Sequence, residues 1–222
     1  MFDSELLFSG AFKNLKGNII RELYKYTTQP GFISFAGGNP SPQTFPNEIL
    51  ADLSAEVLRN NGVSCLQYGV SNGQMPLRQY VAETMTAEQV PTAVENVVIT
   101  SGSQQTLDLL AKAVINPGDR ILVESPTYVA ALKIFSIYGA EVVAVESDDE
   151  GIIPHALKEE LEKGPIKLIY LIPNFQNPTG ITLPLERRKE IMEIVQHYNV
   201  IVIEDNPYGK LSRILLRGYQ DR

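Results

Sequence analysis

The residues best suited to chemistry stand in four short polar segments, each directly after a run rich in valine, isoleucine and leucine. These segments cover residues 101–105 (SGSQQ), 125–128 (SPTY), 173–180 (PNFQNPTG) and 205–208 (DNPY). In an open α/β sheet, ligands bind beyond the carboxyl ends of the strands. We therefore expect the four segments to converge on one site.

The first segment suits a phosphate group. Gly102 and Ser103 open a predicted helix directly after a predicted strand. The free N–H groups and the positive dipole end of such a helix start attract anions. Gly102 permits close backbone approach, and the Ser103 hydroxyl adds a donor. The alternative is that Ser103 only caps the helix, and the sequence leaves both interpretations open.

Asp205 follows an aliphatic run, VIVI, so its carboxylate is predicted at the edge of an apolar core. Such a carboxylate is costly to bury unless a cation or strong donors face it. A pyridinium nitrogen would be a suitable partner, as in pyridoxal-phosphate enzymes. The alternative is an Asp that caps its own Asp-x-Pro turn.

Asn177 and Tyr128 are ambiguous on their own. Asn177 precedes Pro178, and a simple Asn-Pro turn would explain it. The ring of Tyr128 could lie on a flat cofactor or pack on the sheet. The location of both residues after strands is what favours a shared site.

The elements that must position these residues read as an α/β fold. Strands are predicted at 96–100, 120–124, 141–145, 167–172 and 200–204. Helices are predicted at 18–26, 47–60 and 76–86, and two more lie on the apolar stripes Leu107–Leu110–Ala111–Val114 and Ile191–Ile194–Val195–Tyr198, the latter behind Pro184. Nearly all-apolar strands alternating with helices predict a mostly parallel sheet with helices on both faces. Residues 1–45 are predicted as an N-terminal arm and small-domain segment, and residues 46–222 as the large domain.

Composition argues against several classes of protein. The 222 residues carry a formal charge of −7 without a basic cluster, which disfavours nucleic acid as a partner. The single cysteine, Cys65, cannot form an internal disulfide and suits a reducing compartment. We see no secretory signal and no apolar run near the roughly 20 residues of a membrane span. We expect a cytoplasmic protein without a membrane partner.

Further motifs complete a pattern. Tyr68-Gly69, Pro76-Leu77-Arg78, FAGGNPSPQTFP at 35–46, NPGDRILVESPTY at 116–128 and IEDNPY at 203–208 join the segments above in order. Together they resemble the class I/II (fold-type I) pyridoxal-phosphate aminotransferases. The most similar subgroup contains the aminoadipate, kynurenine and broad-specificity enzymes. The resemblance covers residues from about 15 to 210.

The resemblance implies pyridoxal 5'-phosphate as cofactor and a role for each matching residue. Gly102, Ser103 and Gln104 would hold its phosphate, and Tyr68 would reach the phosphate of a neighbouring subunit in a homodimer. Tyr128 would stack on the pyridine ring.

The remaining roles concern the ring atoms and the substrates. Asn177 and Tyr208 would bond the phenolate oxygen, and Asp205 would keep the ring nitrogen protonated, so that the ring accepts electrons. Gly38 would touch the substrate carboxylate and Arg21 would lie near the substrate side chain. The substrates would be an amino acid and a 2-oxo acid.

One required residue of the family has no match. The Schiff-base lysine of the family follows the Asp-x-Pro-Tyr strand on a later loop, whereas Lys210 comes only five positions after Asp205. The basic residues 210–222 no longer resemble the family, so we expect a C-terminally truncated, incomplete fold-type I large domain that has no turnover alone. Alternatives are a non-catalytic cofactor- or effector-binding module, a dimerisation fragment, an inert product of a disrupted reading frame, or another pyridoxal-phosphate reaction.

The resemblance also implies a sheet order. The predicted strands would be adjacent in the order third, second, fourth, fifth, and the first would pair only with a seventh strand that is not matched. The first strand would then lack a neighbour and the fifth would have an open edge. We expect marginal stability.

Overall fold

The computed structural model describes residues 7–13, 31–33 and 40–211. These residues belong to two compact units, one containing 31–33 and 40–100 and the other containing 7–13 and 101–211. The predicted helix at 18–26 lies outside the described residues, as do Arg21 and Gly38. The division into 1–45 and 46–222 stays a prediction.

The helices and strands alternate along most of the chain. The helices are α1 (Gly10–Lys13), α2 (Asn47–Leu66), α3 (Met75–Ala87), α4 (Ser103–Val114), α5 (Val129–Ile137), α6 (Pro154–Glu162) and α7 (Leu185–Val195). The strands are β1 (Arg120–Glu124), β2 (Glu141–Val145), β3 (Ser147–Asp148), β4 (Gly151–Ile152), β5 (Leu168–Leu171) and β6 (Ile201–Glu204). Short 3-10 helices cover Pro42–Thr44, Val94–Asn96 and Gly209–Leu211.

Four strands of the unit at 101–211 form one parallel sheet in the order β2-β1-β5-β6. This confirms the predicted α/β class, the parallel direction and the predicted order of these four strands. Within the described ranges, β6 pairs on one side only, with β5, so its other edge is open as predicted.

The prediction of a strand at 96–100 is wrong for the described structure. A 3-10 helix ends at Asn96, and Val97 continues in extended backbone (φ −105°, ψ 128°). Across residues 40–211 no ladder partner pairs with this segment, and the Ile99 N–H donates to Asn72 O at 3.0 Å instead. A strand needs a neighbour to supply its hydrogen bonds, so an apolar run alone does not make one.

Alternation along the strands builds a core on each face of the sheet. Leu122, Ile169 and Leu171 point to one face and pack with Leu157 of α6 and Ile191 of α7. The neighbouring residues of the same strands point to the opposite face. There they pack with α4 and α5 in a second cluster, which includes Leu107, Ala111, Ile121, Val123, Ala131, Ile134, Phe135, Leu168, Tyr170 and Ile172. Helices therefore cover both faces, as predicted.

The unit at 40–100 is built differently. Its longest helix, α2, contains no buried residue and runs to Leu66, six residues past the predicted end, with non-helical backbone at Asn61. The guanidinium of Arg78 in α3 is buried and donates from Nε to Val97 O at 2.9 Å and from Nη2 to Val94 O at 2.7 Å. None of the helices in the described ranges has the length and apolar character to cross a membrane.

Candidate functional site at the carboxyl edge of the sheet

The strands of the parallel sheet end at the same level. Val123 pairs with Tyr170, and Leu171 pairs with Glu204. The N–H of Asp205 still donates to Leu171 O at 2.8 Å, which fixes the first residue beyond β6 against β5. The segments at 125–128, 172–180 and 205–208 therefore leave the sheet side by side, as expected.

The start of α4 presents two backbone donors, at Ser103 and Gln104, without an acceptor among the described residues. Gly102 is the N-cap of α4, with φ +92°, and the space where a Cβ would stand has no heavy atom within 4 Å. The N–H groups of Ser103 and Gln104 have no acceptor within the described ranges, whereas Gln105 N–H donates to Gly102 O at 3.1 Å. Gly102 occupies the N-cap position, and Ser103 is the first residue of the helix. Free N–H groups at an open helix start suit an anion.

The direction of α4 places this start toward the carboxyl edge. The chain leaves α4 for β1 at the amino edge, where Glu141 N–H of β2 donates to Asp119 O at 2.9 Å. Leu107 and Ala111 hold α4 against the sheet. A helix of 12 residues is about 18 Å long, so Ser103 lies at the opposite end from that loop.

Tyr128, Asp205 and Tyr208 lie close enough to influence one another. Burial, together with the charges of Asp205 and Tyr208, raises the pKa of the Tyr128 hydroxyl above its ordinary value. All three residues are half-buried at the carboxyl edge. The structure therefore brings together two tyrosine rings and one carboxylate, as the sequence predicted for the strand ends.

The Asp205 carboxylate is held by a strand residue. The hydroxyl of Tyr170 on β5 donates to Asp205 Oδ2 at 2.7 Å. Its other oxygen, Oδ1, accepts no hydrogen bond from residues in the described ranges. The alternative of an Asp that caps its own turn is not what the structure shows, because the bonded partner lies on the neighbouring strand. A half-buried carboxylate with one free oxygen suits a cationic partner.

The loop carrying Asn177 is fixed mainly by Gln176. The side chain of Gln176 donates to Pro126 O at 2.6 Å and accepts from the Thr179 N–H at 2.9 Å. Its N–H donates to Ile181 O at 2.8 Å. These bonds tie the loop to the segment before Tyr128, so Asn177, itself half-buried, is positioned by its neighbour.

Sequence reasoning missed three polar residues that build this edge: Glu124, Tyr170 and Gln176. Glu124 is 4% exposed and accepts the Ile172 N–H at 2.8 Å. Burial raises the pKa of Glu124 to about 7, against the lowering effect of hydrogen bonds from Ile172 and Gln176. The sequence did contain a signal for Glu124, because a glutamate at the end of an apolar strand needs hydrogen-bond donors once it is buried. Tyr170 gave no such signal, because an aromatic residue within LIYL is typical of core.

The residues present fit a phosphorylated pyridine. The free N–H groups at 103–104 match a phosphate, the Tyr128 ring offers an aromatic face, and Asp205 Oδ1 can accept from a protonated ring nitrogen. The hydroxyl of Thr127, next to Tyr128, is buried and makes no hydrogen bond with any described residue. An orphaned buried hydroxyl in this segment is further polar capacity that a ligand could use.

Other predicted residues lie elsewhere. Tyr68 belongs to the unit at 40–100, where it directly follows α2 and Gln67 and is fully exposed. Lys210 is exposed in the last 3-10 helix, two residues after Tyr208. Their predicted roles stay predictions.

Comparisons with known proteins place the chain in a family. The sequence model of the family described as aminotransferase class I and II matches residues 30–214. The chain belongs to this family. The chain is 45% identical to the aromatic-amino-acid aminotransferase 1 of Thermococcus litoralis, over 94% of the chain and 52% of that relative.

Solved aminotransferases share the fold. The kynurenine aminotransferase of Pyrococcus horikoshii, solved with PMP, matches 92% of the chain and 52% of its own at 38% identity and a TM-score of 0.85. The α-aminoadipate aminotransferase of Thermus thermophilus, complexed with N-(5'-phosphopyridoxyl)-L-leucine, matches 92% of the chain and 50% of its own at 38% identity and a TM-score of 0.81. The predicted subgroup is thereby confirmed. The chain spans about half the length of these relatives.

Proposed function

We propose that the chain provides the pyridoxal-phosphate-binding part of an aminotransferase that exchanges an amino group between an amino acid and a 2-oxo acid. The observation that carries this proposal is the Asp205 carboxylate. It is held on one oxygen by Tyr170 and lies close to Tyr128 and Tyr208 at the edge where α4 begins. This arrangement supplies an acceptor, an aromatic face and an anion site together.

The phosphate would be bound by backbone N–H groups at the start of α4. The N–H groups of Ser103 and Gln104 and the Ser103 hydroxyl would donate to its oxygens, and Gly102 leaves room for close approach. The positive end of the α4 dipole adds to the attraction. Tyr68 would donate to the phosphate held by a partner subunit in a homodimer.

The ring would be held on its edges and one face. Asp205 Oδ1 would accept from the ring nitrogen and keep it protonated, while Asn177 and Tyr208 would donate to the ring oxygen and Tyr128 would cover one face of the ring. Bound pyridoxal phosphate supplies an electron sink for the electron pair left when the Cα proton of an amino acid departs. Gly38 would contact the substrate carboxylate and Arg21 the substrate side chain.

We expect cofactor binding without turnover from these 222 residues. The lysine that holds the cofactor in the family has no match, and Lys210 is only five positions from Asp205. In the family that lysine moves the proton between Cα and the cofactor, so we expect no such transfer by these 222 residues alone. If binding is the chain's whole function, it is a binding module rather than a catalyst.

Titration with pyridoxal 5'-phosphate, followed by absorbance, tests this proposal. We expect saturable binding that Asp205→Asn weakens about tenfold, because a charge-assisted hydrogen bond is lost, while the exposed-site control Asp149→Asn leaves it unchanged. Borohydride followed by peptide mapping should find no modified lysine. Assays with an aromatic amino acid, 2-aminoadipate and kynurenine should show no amino transfer.

Three results would contradict the proposal. Equal binding by the Asp205→Asn variant and the unsubstituted chain would remove the role of the carboxylate. Fixation of the cofactor on Lys210 with measurable amino transfer would refute the expected inactivity. Absence of saturable binding would refute the site.

A further inference from the structure

We propose that Tyr170 is a positioning residue that orients the Asp205 carboxylate toward the ring nitrogen of the cofactor. As a result, the chain would bind ligands with a ring nitrogen more tightly than analogues without one. This inference rests on the proposed function. It concerns a residue that makes no contact with the ligand and acts only through the carboxylate.

The Tyr170 hydroxyl is placed by a buried strand that is paired on both sides. Tyr170 is fully buried on β5, with backbone pairing to Val123 on one side and Ile203 on the other. Its ring packs edge-on against Phe135 of α5, with centroids 5.6 Å apart and an interplanar angle of 72°. Because the strand is paired on both sides and the ring is fully buried, the hydroxyl has little freedom to move. Its hydrogen bond therefore fixes the position of Asp205 Oδ2.

The bond also determines which oxygen remains available. Burial and the bond to Asp205 raise the pKa of the Tyr170 hydroxyl, so it stays a proton donor across the ordinary pH range. Asp205 Oδ2 is therefore always occupied, at 2.7 Å. With one oxygen tied down, the carboxylate cannot rotate freely, and Oδ1 is the oxygen left to accept from a ligand.

Two probes separate this effect from the rest of the site. Pyridoxal 5'-phosphate carries the ring nitrogen, and its 1-deaza analogue carries carbon at that position with the same phosphate. The ratio of the two dissociation constants measures the interaction with Asp205 alone, because phosphate and ring-face contacts cancel. We expect the unsubstituted chain to prefer pyridoxal 5'-phosphate by about tenfold or more, the range for a charged hydrogen bond.

Tyr170→Phe removes one oxygen atom and keeps the ring that packs on Phe135. We expect it to reduce the preference for the nitrogen-containing probe about tenfold, with little change in the affinity for the deaza analogue. Tyr138→Phe is the matched control. Its hydroxyl donates to another carboxylate of the same unit, Asp108 Oδ1, at 2.9 Å. We expect that variant to keep the full preference, and thermal melts of both variants verify that each remains folded.

A second background tests whether Tyr170 acts through Asp205. In Asp205→Asn the preference should be close to one, and adding Tyr170→Phe should not lower it further. A merely structural role of Tyr170 would instead reduce the affinity for both probes in either background.

The outcomes separate the two proposals. An unchanged preference in Tyr170→Phe, or equal losses for the two probes, overturns the positioning role and leaves the proposed function standing. Equal affinity of the unsubstituted chain for the two probes, or no binding of either, overturns the role of Asp205 in the proposed function and this inference with it.

Discussion

The two units of the chain bury their apolar residues to very different extents. The unit at 101–211 has two core clusters, one on each face of its sheet. In the unit at 40–100, only Arg78, Ala82 and Val97 are buried, and the largest helix buries nothing. Both units contain similar apolar residues, so composition does not explain the contrast.

The difference shows what a parallel sheet contributes. Strands buried on both faces give α4, α5, α6 and α7 a surface to cover, and the same strands carry the candidate site at their ends. A helix such as α2 presents Leu50, Leu53 and Val57 along one face, but these side chains are exposed. Site geometry should therefore depend on residues of the sheet and hardly at all on this helix face.

The largest expected effect concerns the whole chain. The edge of β6 is open within the described residues, with Ile201 42% exposed, and 97–100 form no strand there. Domains have only about 5–15 kcal/mol of stability, and open edges invite mispairing. We expect a broad thermal transition at low temperature in circular dichroism. A sharp, cooperative transition at high temperature would contradict this.

The contrast in burial predicts a contrast between core substitutions. Phe135 is 0% exposed in the sheet unit, and Leu53 is 51% exposed on α2. Phe135→Ala should lower the free energy of unfolding by about 3–5 kcal/mol, because it leaves a cavity and removes the contact with Tyr170. Leu53→Ala should change it by less than about 1 kcal/mol. Urea unfolding measures the free-energy change of each variant. Similar losses in the two variants would contradict the contrast in burial between the two units.

We expect the raised pKa of Glu124 to make the stability of the sheet unit depend on pH. Its pKa rises from 4.5 to about 7 on burial, so the folded state holds the proton more tightly than the unfolded state. The stabilisation is fully present below pH 4.5 and is lost as pH rises to about 7, by up to about 3 kcal/mol. Glu124→Gln should abolish this slope and be more stable than the parent at pH 8. The exposed-site control Glu193→Gln should keep the pH dependence of the unfolding free energy. If Glu124→Gln also kept it, Glu124 would not be its cause.

Arg78 is the buried charged residue of the unit at 40–100, and we expect its replacement to have a smaller effect on stability. Arg78→Ala removes the side-chain donor to Val97 O and one of the two donors to Val94 O, which keeps the Val97 N–H at 3.2 Å, and it should cost about 2 kcal/mol. The control is Arg59→Ala on α2, where the side chain is exposed, and it should cost less than about 0.5 kcal/mol. Hydrogen exchange of the amides at 94–99 reports the local loss. Equal protection in both variants would show that the buried guanidinium does not hold this segment.

The sequence was sufficient for elements that depend on local pattern. Aliphatic runs located β1, β2, β5 and β6 within a residue or two, and apolar stripes located α4 and α7. The sequence was insufficient where strand formation depends on a pairing partner. The run at 96–100 resembles the other aliphatic runs but has no neighbouring strand in the described residues.

The candidate site divides in the same way. Asp205, Tyr128 and Ser103 were predicted as site residues because each lies in a short polar segment after an apolar run. Tyr170 and Gln176 could not, since their function depends on which strand and which loop lie beside them. A hydrogen bond between residues 35 positions apart leaves no trace in local spacing.

Hydrogen exchange with and without pyridoxal 5'-phosphate tests the central claim most directly. We predict slower exchange at the amides of Ser103 and Gln104 and in the segments 125–128, 173–180 and 205–208, while the amides of α2 between residues 47 and 60 are unchanged. Unaltered exchange at 103–104 and 205–208 under saturating cofactor would contradict the claim that these segments form one cofactor site.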